Sequence, residues 1–173
     1  MRLLLAVLCG LVIVPASFGF VIGGERWPGP TISVWNTTSY AGPVLDAERA
    51  WNTTPASIRF VPAADEASAD VIVRYGPPHE PGQASVGYAP GDSTVTLPRG
   101  LSRMVSTTLA AHELGHVLGL GHESHGCTVM AAVVRVGPAT RCKIAACKTI
   151  VRCLVQPDDA NGAIALYGRR SGR

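Results

Sequence analysis

The sequence has no internal repeat, no low-complexity tract and no block of like charge. Without repeats its 173 residues suit one compact domain, since domains commonly run to roughly 100 to 200 residues, and a second would be crowded. The formal net charge of +3 is spread along the chain apart from the short tail GRRSGR. No basic stripe is left to argue for nucleic acid. The cysteines include no close C-x-x-C pair, which speaks against a four-cysteine zinc site as the rival to disulfides. Between Ser102 and Leu118 there is no proline and a single glycine, so nothing in that stretch interrupts a helix.

What is present begins with MRLLLAVLCGLVIVPA, in which Arg2 precedes an apolar run from Leu3 to Val14 and then small residues. That is the pattern of a secretory signal peptide, with cleavage after Ala16 or Gly19. Residues 1–19 are therefore read as the leader and 20–173 as the domain. The alternative is a retained anchor, because apolar character continues weakly through Phe18, Phe20 and Ile22; only that form would touch a membrane. Either form faces the outside of the cell, and a secreted monomer is expected. Cys9 falls in the leader, leaving Cys127, Cys142, Cys147 and Cys153 as disulfide candidates in an exported protein. Four cysteines allow three pairings, among which the sequence does not choose.

After the stop Pro28-Gly29-Pro30, the segment Thr31 to Trp35 alternates like a half-buried strand. AGPVLDAERAW, with Pro43 near its start and Val44, Ala47 and Trp51 on one side, suits a helix closed before Pro55. Ser57 to Val61 and Asp70 to Tyr75 are rich in β-branched residues and read as strands. The loop GPPHEPG follows, then two more strands in QASVGYA and STVTL, five in all. Met104, Val105, Leu109, Leu114, Val117 and Leu118 recur at helical spacing. A last helix begins near Pro157, where Asp158 and Asp159 favour its positive end, and stops at Gly168.

The helix from Ser102 carries HELGHVLGLGH, His112 to His122. Residues four apart share a helix face, so His112 and His116 present two imidazoles to one point with Glu113 beside them. Catalytic zinc takes three protein ligands and keeps a fourth position for water. Gly119 lets the backbone turn left-handed and return His122 as the third ligand. Shuffling this composition yields the H-E-x-x-H core about once in 200 sequences and the full pattern on the order of once in 10⁵, so the longer pattern carries the inference. The competing account is a metal-free polar cluster on an amphipathic helix. His79 and His125 read as ordinary loop residues, His125 being the substitute should His122 not reach the metal.

With Met130 eight residues after His122, and with PDDANGAIALYG at the end, the chain resembles the metzincins, and the matrixin branch in particular. The resemblance spans most of residues 31 to 168. It implies an α+β, zincin-like fold: a twisted five-stranded mixed sheet and three helices, the active-site helix being followed by a methionine turn at Met130. It also implies one catalytic Zn²⁺ on His112, His116 and His122, and calcium is common in the family, although no acidic loop here names ligands. Glu123 stands where matrixins usually carry serine and is reminiscent of astacins, which place their methionine turn further on. The family's second, structural zinc site has only His79 and Glu80 to draw on, and its absence is expected. The only upstream cysteine lies in the leader, so latency by a cysteine switch is not expected. The insertion VGPATRCKIAACKTIVRCLV is longer than in a matrixin.

The expected chemistry is hydrolysis of peptide bonds in an extended polypeptide, with Glu113 as general base toward a metal-activated water. In matrixins the fourth strand edges the cleft. Ser85, Val86, Gly87, Tyr88 and Ala89 form the matching segment, whose backbone should pair with substrate; an ordinary edge strand is the alternative. Met130 would floor the site or merely fill core. Ala132 to Val134 would wall the specificity pocket, stiffened by disulfides. A dedicated zinc hydrolase of cell-wall or single-partner peptides and a non-catalytic zinc- or peptide-binding module are compatible with the same motif. Asn36-Thr37-Thr38 and Asn52-Thr53-Thr54 match the N-glycosylation pattern, which has meaning only in a host with that pathway.

Overall fold

The computed structural model describes residues 19–91, 93–124, 128–132 and 150–171. Residues 1–18 of the leader, His125, Cys127, Val133, Val134, Cys142 and Cys147 lie outside the described residues. The sheet contains β1 (Thr31–Asn36), β2 (Arg59–Pro62), β3 (Val71–Tyr75), β4 (Gln83–Ala84) and β5 (Thr94–Leu97). Their order is β2-β1-β3-β5-β4, every pairing being parallel except β4 with β5. The helices are α1 (Ala41–Asn52), α2 (Arg103–Val117), α3 (Ile150–Leu154) and α4 (Pro157–Tyr167). The fold is thus α+β with a five-stranded mixed sheet. The three expected helices are α1, α2 and α4, and the short α3 adds a turn at the end of the cysteine-bearing insertion.

The alternation seen in the sequence sorts side chains across the sheet. Ile32 and Val34 on β1, Val71 and Val73 on β3, and Val95 and Leu97 on β5 are buried, while their neighbours are less so. Each such side chain contributes roughly 1.5–3 kcal/mol on leaving water. Val44, Ala47 and Trp51 line the buried side of α1, which packs on α2. Two tryptophans then fix α2 by their indole N–H groups: Trp51 donates to the Ala111 carbonyl at 2.8 Å and Trp27 to the Val117 carbonyl at 2.7 Å. The hydroxyls of Ser106, Thr107 and Thr108, unusual in a helix interior, are satisfied by carbonyls of the preceding turn. Asn52 matches the glycosylation pattern, yet its carboxamide is bonded on both sides to the Phe60 backbone.

The expected edge strand requires correction. β4 ends at Ala84; the Ser85 amide still donates to the Thr94 carbonyl of β5 at 2.9 Å, but Val86–Ala89 does not continue the strand. Gly87, at φ +73°, turns the backbone so that its amide donates to the His116 carbonyl at 2.8 Å, and the Tyr88 amide donates to the Glu25 carbonyl at 2.9 Å. The cause is the N-terminal segment: Gly24 and Gly87 let residues 24–25 come so close to residues 86–87 that no Cβ would fit at either glycine. Tyr88 packs edge-on against Trp27, with ring centroids 5.2 Å apart.

Candidate metal centre

His112 and His116 project from successive turns of α2, and their imidazoles meet at right angles. The helix stops after them in a glycine-mediated cap. Gly119, at φ +96°, donates to the His116 carbonyl at 2.8 Å while Leu120 donates to the Gly115 carbonyl at 3.1 Å, which is the double bond of a Schellman motif. The N-terminal segment clamps the bend, since the Gly23 and Gly24 amides both donate to the Gly119 carbonyl and Gly121 donates to the Val21 carbonyl. The chain thereby reverses and delivers His122.

The three Nε2 atoms stand 3.1, 3.1 and 3.3 Å apart. Two imidazole nitrogens on a tetrahedral zinc with bonds of about 2.0–2.1 Å would be about 3.3 Å apart. The tautomers fit as well. The Nδ1 of His112 lies 2.7 Å from the Val129 carbonyl and that of His116 lies 2.8 Å from the Leu120 carbonyl. A carbonyl only accepts, so each Nδ1 carries the proton and each Nε2 turns a lone pair inward. Lone pairs converging at this distance repel unless a cation lies between them. Burial, and secondarily the neighbouring rings, holds His112 down to about 4 and also lowers His116, so these two imidazoles stay neutral near neutrality. The donor set therefore fits a metal ion, and His112, His116 and His122 form a group of ligating side chains within 4.8 Å of one another.

Glu113 follows His112 on the helix and is 2 % exposed. Burial pushes its carboxyl up to about 7. Beneath the histidines, Met130 is buried with its sulfur against the Cα of Gly115, where a side chain would collide with both Met130 and Trp51. The turn bearing Met130 is held by Asp159, 1 % exposed, whose carboxylate accepts from Val129 N at 2.9 Å, Met130 N at 3.2 Å and Gln156 N at 2.8 Å. On the other side the Glu123 amide donates to the Met130 carbonyl at 2.7 Å. Through Val129 and Glu123 the turn touches both His112 and the residue after His122.

Sequence reasoning placed Asp159 only at a helix start. Its position as the third helical residue, in a reciprocal cap with Gln156, was the available signal, but its reach to residues 129 and 130 was not. Gly115 and the Leu120 carbonyl were also missed, because neither carries a reactive side chain. The segment Ser85–Ala89 does border the site, through Gly87 and His116. His79 is exposed and apart from the metal centre, at a positive φ of 69°. Of the expected pocket wall, Ala132 alone is described, and its amide faces the Glu123 carbonyl at 3.4 Å.

A family model described as matrixin matches residues 36–168, a span that includes the three histidines, Met130 and α4. No curated protein sequence matches the chain.

Proposed function

The chain belongs to the matrixin family of zinc metalloproteases, and on that premise we propose that it is a secreted endopeptidase acting on extended polypeptides, with Glu113 as its general base. The observation that carries the reading is the triangle of converging Nε2 atoms of His112, His116 and His122 with the buried Glu113 next to His112 on the helix. Zinc bound to His112, His116 and His122 would polarise the scissile carbonyl and acidify a water at neutral pH. Glu113 takes the proton of the attacking water and returns it to the leaving amine nitrogen, so that one C–N bond is exchanged for a C–O bond. Its burial serves this, because a base near neutrality both accepts and donates readily. Val129 and Leu120 orient the two helix-borne imidazoles through their carbonyls. The segment Ser85–Ala89 lies beside His116 and would meet the substrate, although the amides of Gly87 and Tyr88 are already engaged.

Residues 1–19 are read as a cleaved signal, and no helix among the described residues is long and apolar enough to cross a membrane. Cys127, Cys142, Cys147 and Cys153 would form two disulfides; Cys153 being disulfide-bonded supports this. The test is digestion of casein and a peptide library by the zinc-loaded protein, with and without chelator, beside Glu113→Gln. Cleavage within chains by the wild type alone is expected. Undiminished cleavage by Glu113→Gln would remove Glu113 from its role, and no cleavage by the loaded wild type would leave a binding module.

A further inference from the structure

Gly82 sits where the loop after β3 enters β4, and nothing about its backbone calls for glycine. It is not among the glycines of positive φ. What sets it apart is its neighbour. A Cβ built on Gly82 would stand 2.6 Å from Oε1 of Glu113 and 3.0 Å from both terminal methyls of Leu109. Carbon atoms of side chains do not approach others this closely, so any other residue at position 82 must displace something.

The displaced group can be identified by what is free to move. Leu109 and Glu113 lie four residues apart on one face of α2, and both point at the loop. The fold has little at stake in the Glu113 contact, because the colliding oxygen is the far end of a rotatable side chain. The carboxylate has much at stake. It is nearly covered by protein, and a swing away from Gly82 changes its distance to the water it must deprotonate.

We propose that Gly82 is a positioning residue for the peptidase reaction: its bare Cα forms the seat against which the Glu113 carboxylate is held toward the metal centre. This rests on the reading of Glu113 as the base. A methyl group at position 82 acts on catalysis while leaving the fold and the three imidazoles in place. A misplacement of the base by about 1 Å costs on the order of 100-fold in rate.

The experiment compares wild type, Gly82→Ala, Leu109→Ala, the double variant Gly82→Ala/Leu109→Ala and Glu113→Gln, all zinc-loaded, on one fluorogenic peptide, with zinc affinity and Tm measured for each. For Gly82→Ala the expected result is a fall in kcat of about 100-fold, with KM, zinc affinity and Tm little changed. If crowding against Leu109 destabilises that variant, the double variant removes the crowding, and its kcat should still lie about 100-fold below that of Leu109→Ala. A Gly82→Ala enzyme with wild-type kcat overturns the proposal. So does a loss confined to KM, which would mean that the methyl obstructs substrate. So does a double variant as fast as Leu109→Ala, which would assign the conflict to Leu109. Activity in Glu113→Gln would instead strike the base assignment itself, whereas an inactive Glu113→Gln beside a fully active Gly82→Ala strikes the Gly82 proposal alone.

Discussion

Replacing Asp159 by alanine tests whether the methionine turn is held from α4. The substitution strands three amides, those of Val129, Met130 and Gln156. Each unsatisfied buried donor costs about 1–3 kcal/mol. Against this stands the penalty that the wild type already carries. Burial, though opposed by those same amides, lifts the Asp159 carboxyl from 3.8 to about 6, which near neutral pH corresponds to roughly 3 kcal/mol of charge burial relieved by the substitution. The net expectation at pH 7 is a loss of about 0–6 kcal/mol, centred near 3 kcal/mol, readable as a shifted urea midpoint at unchanged slope. A second effect reaches the metal. Val129 donates from its nitrogen to Asp159 and accepts the His112 bond at its oxygen, so loosening the turn frees the His112 ring, and zinc affinity should fall about 10- to 100-fold. Asp159→Asn separates the two effects. It keeps one oxygen but sets an NH₂ group against at least one amide, so it should perturb less than alanine does. If Asp159→Ala loses under 1 kcal/mol and binds zinc as tightly as wild type, the turn is held by other contacts and this account of α4 is wrong.

Glu48, buried on α1, is pushed up to about 7, chiefly by burial. The folded state therefore prefers the protonated acid, so its stability contribution is fully present below about pH 4.5 and is lost as pH rises through about 7. Glu48→Gln should gain about 1–3 kcal/mol at pH 8 and almost nothing at pH 4, and equal urea midpoints shifts at both pH values would contradict the burial argument. Gly115→Ala drives a methyl into Met130 and Trp51 and should destabilise by about 1–3 kcal/mol; an unchanged Tm would show that Met130 yields freely. Chelation should lower Tm and zinc restore it, because binding to the folded state alone adds stability by mass action, about 2.7 kcal/mol at a hundredfold excess over Kd. A Tm indifferent to zinc would mean that the histidines do not hold it.

The elements that could be read in advance were those in which one short-range pattern decides the structure. The 3.6-residue recurrence through Leu109, Leu114 and Val117 marked α2 to within a residue at either end, and the alternation in β1, β3 and β5 marked their buried faces. The imidazole cluster was legible for the same reason: the offset from His112 to His116 is set by helix geometry, and Gly119 is a local answer to a local demand for positive φ. The length of β4 was misjudged because Ser85 to Ala89 has the composition of a strand, yet beyond Ser85 the backbone partners, those of Gly87 and Tyr88, are His116 and Glu25. Propensity describes a side chain on a pleated surface and is silent about which backbone will arrive alongside.

The same limit explains why the supports of the metal centre were less visible than its ligands. Ligands must carry nitrogen lone pairs, so residue type betrays them. A support acts through whatever polar or empty position lies opposite, and here those positions are an aspartate 29 and 30 residues beyond its amide partners, two backbone carbonyls and glycines that leave room. The bend returning His122 is closed partly by its own Schellman bonds and partly by the Gly23 and Gly24 amides, and residues 23 and 24 precede the matched family span of 36–168. The placement of the third imidazole thus depends on a segment outside the most family-like part of the chain. The zinc motif specifies what converges, and the N-terminal segment, the Asp159 brace and the Gly115 notch specify how firmly it is held.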